Sequence, residues 1–381
     1  MRNVIFGTGK FASEVAKKLE SYNINIDAFV NNKTNLPTDV YNNKPVINID
    51  NLDFTNSDFN IIVAKKPMFM GSAIEYLKNK NFRNAFLIKE EIFFNNIRDI
   101  EDLKNYLLPV DFSDKAILNY LETNIVDNCN LNCKGCAHFS NICKPYFVTP
   151  EDLAKDLYII SNYFHLLCFR LLGGEPLIHP KLDEIVKVAR AMLPKTELVL
   201  VTNGVLIPKI NQEMIDSLRD SNVIISISLY KPTEKLLPKI LERLNKENIK
   251  YFINDDYFKK PEVITQFHTR LSTEKNNEGA QVSQNCGGRF CRFLRNGKIS
   301  KCYYPLLIDN LNDLFNTYFI ISDDDFIVLS EITNGWEAIE QLNNSIPFCD
   351  YCRSKEQNFE WERANKDVAK LDDYVLKLKK K

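Results

Sequence analysis

Three cysteines, Cys129, Cys133 and Cys136, stand within the eight residues "CNLNCKGC" of a 381-residue chain that has ten cysteines in all. Thiolates this close together hold iron–sulfur clusters or metal ions. Three of them on a four-iron cluster leave one iron open to a substrate or cofactor, which a fully ligated structural site does not offer. Zinc is the alternative, with His138 or Cys143 as fourth ligand. A second set, Cys286, Cys291, Cys302 and the "CDYC" pair Cys349 and Cys352, lies toward the C-terminus.

Composition fits such chemistry in a reducing compartment. The chain is 45% hydrophobic and 26% charged, enough to bury two or three cores. Lys+Arg 49 against Asp+Glu 50 gives a formal net charge of -1, which argues against a general nucleic-acid-binding surface. "MRNVIFGTGK" is too short an apolar run for a signal peptide or membrane span, so a cytoplasmic protein without membrane partners is expected. Clustered cysteines there point to metal or redox chemistry, not to a disulfide framework.

Three kinds of sequence must position these residues. Residues 1–98 alternate short apolar strands ("NVIF", "NIDAFV", "FNIIVA", "RNAFLI") with helical stretches, predicting a doubly wound, Rossmann-like α/β sheet. Residues 99–118 read as a helical connector. Residues 119–280 alternate again, with strands near "ETNIVD", "LLCFRLL", "ELVLVT", "VIISISLY" and "IKYFIN". This predicts a partial (β/α)6 barrel of the TIM type, with its chemistry at the C-terminal strand ends. Residues 281–381 form a small α+β domain that opens on the hairpin "FCRFLRNGKISKCYYP", turned at Asn296 and Gly297, and ends in helical, charged sequence closing on "KLKKK". Across that hairpin Cys291 falls opposite Cys302, about 5 Å away between β-carbons.

The spacing of Cys129, Cys133 and Cys136 after the first barrel strand, "GGEP" (Gly173, Gly174, Glu175, Pro176) after the second and "TNG" (Thr202, Asn203, Gly204) after the third together resemble the radical S-adenosylmethionine superfamily. The resemblance covers roughly residues 119–255. It implies a 4Fe–4S cluster on the trio, S-adenosylmethionine on its open iron, a 5'-deoxyadenosyl radical, and a flavodoxin- or ferredoxin-type reductant. Gly173 and Gly174 would let the backbone approach the cofactor and Glu175 would face its ammonium group. Thr202 and Asn203 would shape the same pocket. Ser228 matches a ribose-contacting serine, and Ser226 and Tyr230 share its strand face. Where the family often has an aromatic residue before the third cysteine, this chain has Gly135. Tyr230, where many relatives have aspartate, could bind substrate, donate a hydrogen atom or pack.

The second cysteine set resembles the twitch type of auxiliary-cluster domain, a shortened relative of the SPASM domain. That implies a second 4Fe–4S cluster on Cys302, Cys349, Cys352 and either Cys286 or Cys291, with a zinc ribbon as the alternative. Cys143 and Cys168 are left over, as are His138, His165, His179 and His268, to which no role is assigned.

"FGTGKFA", with Gly7, Gly9 and Ala12 between strand and helix, has the dinucleotide-type turn that aims a helix N-terminus at a phosphate. Asn31 and Asn32 stand where nicotinamide binding usually needs an acid. The run resembles small Rossmann-type domains fused to sugar-modifying enzymes, implying a nucleotide or nucleotide-sugar ligand. The leading expectation is therefore a radical enzyme that dehydrogenates or epimerises a small-molecule sugar, nucleotide-sugar or glycan precursor. The alternatives are a peptide-modifying radical enzyme and a non-catalytic metal-binding scaffold.

Overall fold

A computed structural model of the chain describes residues 2–376 apart from 33–39, 53–58, 83, 95–99, 113–114, 256–259 and 289. The closing "KLKKK" and the expected boundary between residues 98 and 99 thus lie outside the described residues. The chain gathers into two compact units, Met1–Asn119 and Tyr120–Lys381.

The first unit is built from β1 (Arg2–Phe6), α1 (Lys10–Glu20), β2 (Ala28–Asn31), β3 (Val40–Tyr41), β4 (Lys44–Asn48), β5 (Phe59–Val63), α2 (Pro67–Asn79), β6 (Ala85–Ile88), α3 (Ile100–Lys104), β7 (Leu107–Pro109) and β8 (Ala116–Leu118). Its seven-stranded sheet has the order β3-β4-β2-β1-β5-β6-β7. The central β4, β2, β1, β5 and β6 are parallel and only the edges are antiparallel, the doubly wound arrangement predicted. Val4, Ile5 and Phe6 are fully buried beside Ile61 and Val63, because strands covered on both faces carry continuous apolar runs.

In the second unit β9 (Leu121–Val126), α4 (Pro150–Tyr163), β10 (Phe164–Leu166), β11 (Cys168–Gly173), α5 (Leu182–Met192), β12 (Glu197–Thr202), α6 (Gln212–Asp220), β13 (Val223–Ile227), α7 (Lys231–Lys246) and β14 (Tyr251–Ile253) follow the predicted alternation. Two of these helices start on a side-chain cap: Thr149 accepts from Asp152 N ahead of Pro150 in α4, and Asn211 accepts from Met214 N in α6. Along α5, Leu182, Ile185, Val186 and Ala189 turn one apolar stripe inward.

The sheet runs β14-β13-β12-β11-β9 and then takes in three strands from the C-terminal segment, β16 (Phe293–Arg295), β17 (Lys298–Ser300) and β18 (Ile327–Val328). β16 is parallel to β9, so the sixth parallel strand arrives from beyond residue 280. The intervening β15 (Gln266–Leu271) instead pairs antiparallel with β19 (Cys352–Glu360). The expected boundary at 280–281 falls inside α8 (Gly279–Asn285), and α9 (Tyr304–Leu307), α10 (Asp309–Phe315) and α11 (Gly335–Asn343) complete the unit. β19 departs from expectation. The last segment was expected to end in helical, charged sequence, but its "CRSKEQNFE" is a nine-residue strand followed by short 3-10 turns, because β15 offers its backbone a partner. Among the described residues no helix is long and apolar enough to cross a membrane.

Candidate cluster and substrate site

β9 ends at Val126, and the loop that follows is tied down before it reaches the cysteines: Asp127 accepts from both terminal nitrogens of Arg295 at 3.0 and 2.7 Å. Beyond it Cys129, Cys133 and Cys136 line a cavity of about 790 Å³. Donors reach two of the sulfurs. Leu131 N lies 3.4 Å from Cys129 Sγ, and the indole Nε1–H of Trp361 lies 3.1 Å from Cys133 Sγ. Burial pushes the free thiols of Cys129 and Cys133 up to about 12, so each needs a bound cationic centre to ionise at neutral pH. Among the described residues no three His, Cys, Asp or Glu side chains gather closely enough for one metal ion. The donor set is three thiols, the soft ligands that an iron–sulfur cluster takes.

The glycines of "GGEP" are needed for a reason the sequence does not reveal. A Cβ on Gly173, whose φ is +140°, would lie 2.0 Å from Val126 O, and one on Gly174 would lie 1.9 Å from Asn128 O. Gly174 N donates to Val126 O at 2.7 Å and Glu175 N to Asn128 O at 2.8 Å. The close approach is thus first to the backbone that leads into the cysteines, although both glycines also line the cavity.

Glu175 departs further from its expected role of facing an ammonium group. It is 0% exposed and absent from the cavity wall. Its Oε1 accepts from Leu177 N at 3.0 Å and Thr202 Oγ1 at 2.6 Å, and its Oε2 from Asn203 N at 2.8 Å. Burial raises its pKa to about 7 against these three bonds. The carboxyl therefore pins the second strand end to the third, and Pro176 starts the short turn that carries it. Thr202 and Asn203 line the cavity, where the Asn203 amide donates to Asn130 Oδ1 at 2.7 Å; Gly204 makes the bend at φ +75°.

Of the fourth-strand residues, Ser228 and Tyr230 line the cavity. Ser226 does not; its hydroxyl donates to Asp255 Oδ1 at 2.8 Å, where Asp255 also pairs with the buried Arg170. Tyr230 stacks on Trp361 with centroids 5.6 Å apart, and burial followed by the three nearby cysteines holds its hydroxyl well above the usual tyrosine range.

Cys286, Cys291, Cys302, Cys349 and Cys352 line the same cavity. Burial raises the Cys302 thiol well above its ordinary value, followed by Cys352, with Cys286 and Cys349 adding to it. Cys291 is raised by burial and then by Glu122. The hairpin pairs Phe293 with Ser300 and Arg295 with Lys298, the register expected from its turn, but the pairing stops before Cys291 and Cys302. A Cβ on Gly288 would lie 3.8 Å from Cys286 Sγ and 3.9 Å from Cys291 Sγ. Cys143 and Cys168 do not line the cavity.

Sequence reading gave no part in the proposed site to several residues at or beside the wall, and His138 entered only as an alternative zinc ligand. His138 stacks on Tyr303 at 4.8 Å, and its Nδ1 bonds Asn124 Oδ1 at 2.8 Å; burial lowers its pKa to about 4, leaving the imidazole neutral. Its place two residues after Cys136 was the available signal. Gln266, Phe267, His268 and Arg270 of β15 line the cavity, and Arg270 pairs with Glu356 of β19 at 2.9 Å. Trp361 had no signal in its neighbouring sequence.

In the first unit Gly7 has φ +141° and its Cβ would lie 2.9 Å from Ala64 O, whereas a Cβ on Gly9 meets nothing within 4 Å. Gly9 caps α1, and Asn31 donates to Thr8 Oγ1 at 3.0 Å, fastening the glycine turn to β2.

Residues 123–254 match the family described as the Radical SAM superfamily. The GTP 3',8-cyclase of Microcystis aeruginosa is 33% identical over 113 residues, covering 28% of this chain and 34% of the relative. The GTP 3',8-cyclase of Trichormus variabilis is 34% identical over 115 residues, with 28% and 34% covered. The match thus spans about a third of the length of these curated relatives. Among solved structures, BtrN in complex with AdoMet and 2-DOIA aligns at a TM-score of 0.38 and 14% identity, over 69% of this chain and 100% of that one.

Proposed function

Because residues 123–254 are a radical SAM domain, we propose that this protein is a radical enzyme whose Cys129, Cys133 and Cys136 hold a 4Fe–4S cluster with S-adenosylmethionine on its open iron. When bound, that pair supplies a 5'-deoxyadenosyl radical on one-electron reduction, given by a flavodoxin- or ferredoxin-type reductant. The chain's own part is binding, orientation and the exclusion of water. The backbone of Gly173 and Gly174, with Thr202, Asn203 and Ser228, forms the cofactor wall, and Glu175 holds that wall together from behind. The Tyr230 hydroxyl keeps its proton at neutral pH, leaving it able to donate a hydrogen bond or a hydrogen atom.

The observation that carries the reading is the single cavity lined by both cysteine groups. We propose that Cys302, Cys349 and Cys352 hold a second cluster with Cys286 in preference to Cys291, since Cys286, Cys349 and Cys352 are the cysteines that act on the Cys302 thiol. A second cluster facing the substrate space suits a reaction that removes an electron from a substrate radical, hence dehydrogenation. The polar wall of Gln266, His268, Arg270 and Glu356 suits a hydroxyl-bearing small molecule, in line with a sugar, nucleotide-sugar or glycan precursor; epimerisation would instead draw a hydrogen atom from Tyr230. The name of the matched relatives, GTP 3',8-cyclase, supports a nucleotide as the second substrate class. Product analysis separates the two: a dehydrogenated or epimerised sugar against a cyclised nucleotide.

Reconstituted without oxygen and reduced, the protein is expected to cleave S-adenosylmethionine to 5'-deoxyadenosine, and Cys133→Ala to abolish cleavage. Persistence in that variant would sink the site assignment. For the first unit we propose that the Gly7–Gly9 turn holds a nucleotide or nucleotide-sugar. Since a Cβ at Gly9 meets no neighbour within 4 Å, Gly9→Val should keep the fold and remove the thermal stabilisation given by the nucleotide-sugar that binds.

A further inference from the structure

The segment after β19 lies along the cysteine loop. Lys134 N donates to Glu362 O at 2.9 Å and Ala364 N to Asn132 O at 2.8 Å, so the strap bonds the loop on both sides of Cys133. Cys133 and Arg363 form an antiparallel bridge, and the Arg363 guanidinium donates to Leu131 O at 2.8 Å and Asn130 O at 3.1 Å. Gly135 shows how closely the two pack: at φ +60°, its Cβ would lie 2.4 Å from Asp373 O and 2.4 Å from Phe359 Cζ. Within this strap Trp361 is 8% exposed, and its indole N–H, a group that seeks a partner when buried, is aimed at Cys133 Sγ.

We infer that Trp361 is the positioning residue of the cysteine trio: its indole N–H holds the Cys133 sulfur and sets how readily the site accepts an electron. A donor to a ligating sulfur stabilises the electron-rich, reduced state more than the oxidised one. Taking the donor away makes reduction harder. Trp361 is delivered by β19, which begins at Cys352 of the other cysteine group, so one strand connects the two. The electronic part of the inference rests on the proposed cluster, while the contact between indole and thiol stands without it.

The test uses the full chain. In an EPR-monitored redox titration of the reconstituted protein, Trp361→Phe should retain its iron while reduction of the trio's cluster becomes about tenfold less favourable, about 59 mV lower for a one-electron couple. A second variant carries β-(3-benzothienyl)alanine at position 361, which keeps the bicyclic shape and lacks only the N–H. It should show the same fall. An unchanged potential in this variant overturns the proposal, whatever Trp361→Phe does, because packing alone would then explain the phenylalanine result. The contact is read separately in the metal-free protein. The chain has two tryptophans, so ¹⁵N-indole spectra contain two resonances, and the one lost in Trp361→Phe should shift in Cys133→Ala while the other stays. If it does not move, the indole–thiol bond is refuted. If wild-type protein gathers no iron at the trio, the cluster reading fails and this resonance still decides the contact.

Discussion

Cys129, Cys133 and Cys136 lie within eight residues behind one strand, whereas Cys286, Cys302, Cys349 and Cys352 come from the end of α8, the far side of the β16–β17 hairpin, the turn before β19 and the first residue of β19. Both groups line one cavity. The compact group has its path set locally, by β9, by the Asp127–Arg295 pair and by the two glycines that crowd Val126 and Asn128. The dispersed group has no such local frame and depends on three elements meeting. A short motif can therefore keep its geometry while its surroundings change, but a ligand set gathered from distant elements lasts only as long as the packing between them.

The largest effect that would break this comparison comes from the compact group. Cys129→Ala or Cys136→Ala should leave no measurable 5'-deoxyadenosine, while Cys302→Ala combined with Cys349→Ala should still cleave S-adenosylmethionine. Relative to the wild type, iron per chain should fall from about eight to about four in the double variant, assuming two four-iron clusters. Full iron in that variant would remove the second cluster from the proposal.

Next come the glycines that frame the compact group. Gly174→Ala should cost about 3 kcal/mol in chemical denaturation, since its Cβ has backbone on the far side and nothing flexible to displace. Gly9→Ala, facing open space, should cost less than about 1 kcal/mol. Equal costs would show that the two glycine turns are under the same constraint.

Glu175 gives an effect that builds gradually with pH and is the most diagnostic. Its folded pKa of about 7 lies above the ordinary 4.5, so the native state binds more protons than the unfolded one between these values. The stability this contributes is fully present below pH 4.5 and is lost as pH rises through 7. Relative to Glu175→Gln, wild-type stability should fall by about 1 kcal/mol per pH unit across that window and be flat on either side. A flat difference throughout would mean that the three donors keep the carboxylate ionised.

Much of the frame was legible in the chain itself. The apolar runs "NVIF", "FNIIVA", "ELVLVT" and "VIISI" marked buried parallel strands, and the three cysteines, "GGEP" and "TNG" were found at consecutive strand ends. What could not be read were partners brought from far along the chain. Glu175 looked like an anion for a ligand because two of the donors that occupy it, Thr202 and Asn203, lie at the end of a different strand. That Gly173 and Gly174 also press on the carbonyls of Val126 and Asn128 was hidden because those lie 47 and 46 residues earlier in sequence.

Residue type, order and period thus determined which groups could carry chemistry and which segments would be strands, since those properties reside in neighbouring residues. Tertiary structure alone decided that "CRSKEQNFE" is extended and that Trp361 reaches Cys133, because β19 takes its conformation from the open backbone of β15 and no local propensity encodes a hydrogen bond across 228 residues.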